Sequence, residues 1–110
     1  MKKILFLAIV AFSSQLFSAE LDCNIKLNQE IISKAKVSTV LDKRVVINSE
    51  SGIFAYVTEK SSQQYVVEAY LSDYDLRIYG EGSLKDNHDR LIASAWGQTS
   101  IVDIGCELSK

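Results

Sequence analysis

From Leu21 onward the chain alternates between apolar and polar residues. Leu21, Cys23, Ile25 and Leu27 fall on one face of an extended segment, with Asp22, Asn24, Lys26 and Asn28 on the other. That is the period-two pattern of a half-buried strand. The final segment mirrors it: Val102, Ile104, Cys106 and Leu108 oppose Ile101, Asp103, Gly105 and Glu107. Between these ends, alternation predicts strands over 34–41, 44–48, 52–60, 64–72, 76–82 and 90–98. Asp42-Lys43, Ser49-Glu50-Ser51, Asp73-Tyr74-Asp75 and the polar run 85–89 separate them as turns. Val, Ile, Tyr, Phe and Thr recur in these segments, as strand propensity asks.

Such closely spaced turn signals favour antiparallel hairpins over βαβ units. About eight short strands predict an all-β antiparallel meander, closed into a small barrel or flattened into a sandwich. Gly80, Gly82, Gly97 and Gly105 fall inside predicted strands, where glycine marks the bulges and bends that barrel closure requires. Residues 30–36 are ambiguous: Ile31, Ile32 and Ala35 fit a helical stripe as well as an extended one, leaving room for one helical turn. A transmembrane barrel is disfavoured, because Glu68, Arg77 and Asp103 interrupt the second face of several strands.

The region before Leu21 has another character. Met1-Lys2-Lys3 is basic, residues 4–12 are an uncharged apolar run, and a polar stretch leads to Ser18-Ala19. This is the layout of a secretory signal peptide, too short to span a bilayer comfortably. Residues 1–19 are therefore read as a leader, cut after Ser18 or Ala19, and 20–110 as a single exported domain in the periplasm or outside the cell. It is not expected to be an integral membrane protein. Glu20-Leu21-Asp22 before Cys23 argues against lipidation.

The chain carries a net charge of −2, and losing Lys2 and Lys3 takes it to −4. The remaining basic residues are scattered, so nucleic acid is a poor candidate partner. Two cysteines in an exported chain predict one disulfide, Cys23–Cys106, with a metal pair or two free thiols as the alternatives. His88 is the only histidine, so no structural zinc set is available. Both cysteines lie on the apolar face of their strands, so a bridge would be buried and hold the first and last strands together.

Catalytic groupings are weak. His88, within Asp86-Asn87-His88-Asp89, is read either as part of a cation loop or as a hydrophilic turn; no calcium-loop glycine follows it. Asp73 and Asp75 flank Tyr74 in a turn, whereas paired catalytic carboxylates must face one another across a substrate. No G-x-S-x-G motif is present. The aromatics carry more. Phe54 and Tyr56 share a face, as do Tyr70 with Glu68, Tyr79 with Arg77, and Trp96 with Ile92 and Ser94. With strands adjacent in order, Tyr70, Tyr79 and Trp96 would form a stripe beside Arg77, in side chains enriched at binding hot spots. The competing reading is cross-strand pairing, or Trp96 completing the core.

In general form, a leader followed by a short disulfide-closed β domain is similar to the periplasmic lysozyme and protease inhibitors. Ser51-Gly52 followed by Tyr56 resembles the Ser-Gly-x-x-Tyr stretch of C-type lysozyme inhibitors, with one more residue between. No inhibitory residue is carried across, and fold does not imply function. The expectation is a non-enzymatic binding module, inhibitor-like in form, without a cofactor or metal, whose partner is a protein or cell-envelope component. A small-ligand carrier barrel is the alternative, and an enzyme the third. Neither the partner nor the oligomeric state is legible.

Overall fold

The alternating segments become eight β-strands in the computed structural model, which describes residues 19–109: β1 (Ala19–Leu27), β2 (Glu30–Thr39), β3 (Arg44–Asn48), β4 (Ile53–Ser61), β5 (Gln64–Leu71), β6 (Leu76–Ser83), β7 (Arg90–Trp96) and β8 (Ile101–Leu108). The expected leader lies outside the described residues except for Ala19, which opens β1. All pairings between strands are antiparallel, and β8 returns to pair with β1. The strands therefore run round in chain order, as a meander does.

The hydrogen-bonded circuit breaks twice, between β2 and β3 and between β6 and β7. Two four-stranded sheets result: sheet A in the order β2-β1-β8-β7, and sheet B in the order β3-β4-β5-β6. The barrel alternative is thereby corrected to a sandwich-like arrangement. The β6–β7 break shows its physical side at Gly80, where an added Cβ would stand 2.7 Å from the Cβ of Ala93. The sheets close on each other so tightly there that one strand must present no side chain. Gly80 serves close approach, not barrel curvature. Gly97 lies beyond the end of β7 and not within a strand.

Between the sheets lies one apolar core. Leu21, Ile25, Val102 and Ile104 of sheet A meet Ala55, Val57, Val67 and Ile78 of sheet B, all buried. Each fully buried Leu, Ile or Val contributes roughly 1.5–3 kcal/mol relative to exposure. The predicted disulfide is present in this layer: Cys23 and Cys106 are bonded and almost fully enclosed.

The helical turn expected within 30–36 is corrected to strand. β1 and β2 join through Asn28 and Gln29, both at positive φ (52° and 71°), as a two-residue hairpin turn with matching twist requires. β2 then carries one extra residue: Ile25 pairs with Ser33 but Lys26 pairs with Ile31. This bulge at Ile32 breaks the alternation, leaves Ile31 and Ile32 both 44% exposed, and produces the false helical period.

Candidate functional site

Sheet B turns the odd-numbered residues of β4 and β5 inward and the even-numbered ones outward. On β6 the odd-numbered Arg77, Tyr79 and Glu81 face out while Ile78 is buried. Strand register then assembles the outer face in three rows. Arg44, Thr58, Val66 and Glu81 form the first; Val46, Tyr56, Glu68 and Tyr79 the second; Phe54, Tyr70 and Arg77 the third. Tyr56, Glu68 and Tyr79 of the second row and all of the third, with Arg44, line a shallow groove of about 470 Å³.

The groove is ordered by interactions among its own side chains. The Arg44 guanidinium lies 4.7 Å from the centroid of the Tyr56 ring and 3.4 Å from Glu68. Arg77 covers Tyr70 at 5.4 Å. Such cation–π contacts are worth about 0.5–1 kcal/mol at exposed sites. The Tyr70 hydroxyl donates to Asp75 Oδ1 at 3.3 Å, and the Tyr79 hydroxyl donates to Glu81 Oε2 at 3.4 Å. The negative charge of Glu81 is the first cause that raises the Tyr79 hydroxyl above its ordinary 10.0, with desolvation, the hydrogen bond itself and Glu68 adding to it. Tyr79 is therefore a neutral phenol at physiological pH. Its ring is 65% exposed. Val66 is buried but stands outside the inter-sheet core, as the apolar floor of this outer face.

Of the sequence-derived residues, Tyr70, Arg77 and Tyr79 meet here. Trp96 does not: it sits at the end of β7 in sheet A, across the β6–β7 break, and is 76% exposed. The rings that line this groove are Phe54, Tyr56, Tyr70 and Tyr79, and Trp96 is not among them. The sequence reading missed Arg44. Its signal was available, since alternation in Arg44–Asn48 puts Arg44 and Val46 on one face and chain-order pairing sets that face beside Tyr56.

The outer face of sheet A is of a different kind. Lys36 pairs with Glu20 at 3.7 Å and with Asp22 at 4.0 Å, and Arg90 pairs with Glu107 at 3.4 Å. Ser94 hydrogen-bonds Asp103. Exposed pairs of this sort contribute little stability and mark a solvated surface.

Other polar groups bond within their own turns or inside the sandwich. Asp86 Oδ1 accepts from the His88 backbone N–H at 2.8 Å, and Asp89 Oδ2 accepts from the Lys85 N–H at 2.8 Å, which makes the His88 loop a self-bonded turn. Asp73 lies within the short 3-10 turn Ser72–Tyr74 that joins β5 to β6, and Asp75 caps the end of that turn in the left-handed region at φ 46°. Inside the sandwich, Glu59 is buried and accepts from Thr39 Oγ1 at 3.0 Å. Tyr65 nearby has its hydroxyl pushed above the ordinary 10.0, by burial first and by Glu59 second. Among the described residues no three His, Cys, Asp or Glu side chains converge as a metal site, and no helix is long and apolar enough to cross a membrane. Compared with family models, curated proteins and solved structures, the chain matches none.

Proposed function

We propose that this chain is an exported, non-enzymatic interaction module that recognises a protein through the outer face of sheet B. One observation carries the reading: four aromatic rings and two arginines gather on a sheet face that no other strand of the described residues covers. Tyr and Arg dominate the energetics of protein interfaces. Here the two guanidinium groups already lie over rings, so less side-chain freedom is lost on association. A buried disulfide fits an oxidising compartment, and with the leader reading this supports a periplasmic or secreted location.

A cell-envelope glycan is the other occupant to consider, and the stacking geometry weighs against it. Sugar rings need free aromatic faces, but Arg44 lies over Tyr56 and Arg77 over Tyr70. The carrier reading finds little support in an interior filled by Leu21, Ile25, Val57, Val67 and Ile104.

The test is capture from an envelope extract by the immobilised, disulfide-intact protein. A captured protein should be lost when Tyr79→Ala and Arg77→Ala are combined, with the denaturation midpoint unchanged, and retained by Trp96→Ala. Equal capture by the double variant overturns the reading. Recovery of polysaccharide in place of protein replaces it with the glycan alternative.

A further inference from the structure

The outer face of sheet B is complementary to itself. Place a two-fold axis in the plane of contact, parallel to the strands and midway between β4 and β5. Each row then faces its own reverse on a second copy: β3 lies over β6 of the copy and β4 over β5. In the first row Arg44 meets Glu81 and Thr58 meets Val66. In the second Val46 meets Tyr79 and Tyr56 meets Glu68. In the third Phe54 meets Tyr70. Arg44–Glu81 joins opposite charges, Tyr56–Glu68 a phenol with a carboxylate, and Val46–Tyr79 and Phe54–Tyr70 bring apolar surface together. Val66 is already buried and adds little, and Arg77 has no β3 residue in its row.

The alternative axis, across the strands along the central second row, fails on the same register, because it sets Glu68 directly against its own copy. Like charges opposed at an interface strongly disfavour it. The face is also formally neutral, with Arg44 and Arg77 balancing Glu68 and Glu81, so association carries no net repulsion between the patches.

We infer that the protein seated on sheet B is a second copy of this chain, forming an isologous, face-to-face dimer. This rests on the reading of sheet B as a protein-binding face and names its occupant. An isologous contact is self-complementary by definition, with residue i meeting j and j meeting i, and the Arg44–Glu81 and Val46–Tyr79 relations have that form. Area sets the strength. Four strands at ~4.8 Å span about 19 Å, and seven residues at ~3.4 Å span about 24 Å. Each copy thus contributes roughly 450 Å² of flat face, more once side-chain relief is included. This falls at the low end of specific interfaces, where association is reversible and weak.

Charge reversal tests the geometry. Sedimentation of the disulfide-intact protein across a wide concentration range should show a reversible monomer–dimer equilibrium. Arg44→Glu alone and Glu81→Arg alone should each weaken it by about tenfold or more, since each opposes like charges twice per dimer. An equimolar mixture of the two variants should restore association, because both cross-pairs are then of opposite sign. Should Arg44→Glu unfold for want of its pairing with Glu68, Val46→Glu and Tyr79→Lys form a second complementary pair on exposed positions. A mixture that stays monomeric, or single variants that dimerise as the parent does, overturns the dimer. If the parent stays monomeric while face variants still lose a captured partner, self-association is rejected and the protein-binding reading stands. If neither association nor capture responds to the face, both are rejected.

Discussion

Cys23 and Cys106 are direct partners across the β1–β8 ladder, their Cα atoms 4.1 Å apart and their sulfurs bonded. The bond joins the first strand to the last over a separation of 83 residues. Closing a loop of that length contributes up to about 4–5 kcal/mol when counted as denatured-chain entropy. The side chains are buried, so reduction requires at least local opening. Cys23→Ser should lower unfolding stability by about 2–5 kcal/mol, read from urea denaturation. The native protein should present no reactive thiol in denaturant without reductant.

At Gly80 the expected response is steric. Gly80→Ala sets two Cβ atoms at 2.7 Å, across a packed sheet corner where neither is a flexible chain end. We expect a loss of about 1–3 kcal/mol, the usual cost of overpacking. Adding Ala93→Gly should return part of it. A single variant as stable as the parent would mean that β6 and β7 lie further apart than described.

Thr39 supplies the hydroxyl that faces the buried Glu59 carboxylate. Thr39→Val keeps the shape and removes that donor, leaving a buried acceptor without it at a cost of about 1–3 kcal/mol. Glu59→Gln combined with Thr39→Val should lose less than Thr39→Val alone, because an amide is cheaper than a carboxylate to leave poorly satisfied. Chemical denaturation of the parent and the two variants measures both differences.

The hydroxyl of Tyr65 is held above 10.0 by burial and then by Glu59. Its folded value exceeds its unfolded one, so the linked stability is fully present below pH ~10 and is lost as pH rises through the folded value. Stability should fall in that alkaline window, and Tyr65→Phe should flatten the fall. Urea midpoints on either side of pH ~10 decide it.

Much of this architecture was legible because a strand with one wet face writes its geometry into the sequence. The alternation around Cys23 and Cys106 located both half-cystines on an inward face, and the same alternation separated Ala69 and Ile78 from Tyr70 and Tyr79. Three things escaped it. A single bulged residue, Ile32, mimics helical spacing, because periodicity alone cannot tell an insertion from a change of period. A break in a sheet leaves no local mark: β6 and β7 follow each other in sequence and stay close in space, yet exchange no ladder. That break divided the expected stripe and left Trp96 on the other sheet. Arg44 was missed because its role depends on a neighbour 12 residues later, Tyr56, and on which strands pair.

Trp96 offers the sharpest check on that division, being the chain's only tryptophan. At 76% exposure its native emission should lie close to that of the unfolded chain, and a neutral quencher should reach it in the folded state. The outer face of sheet B is lined by Tyr56, Glu68, Tyr70, Arg77 and Tyr79, without Trp96. Occupation of that face, by a second copy or by another protein, should therefore leave the quenching constant essentially unchanged. Tyrosine fluorescence or chemical modification of Tyr79 should report protection under the same conditions. Trp96→Ala should cost well below the about 3–5 kcal/mol of a core aromatic, since most of its ring contributes nothing to the interior. If association instead shields Trp96 as strongly as Tyr79, the interface runs across the β6–β7 break, and the original three-ring stripe is the better description of the site.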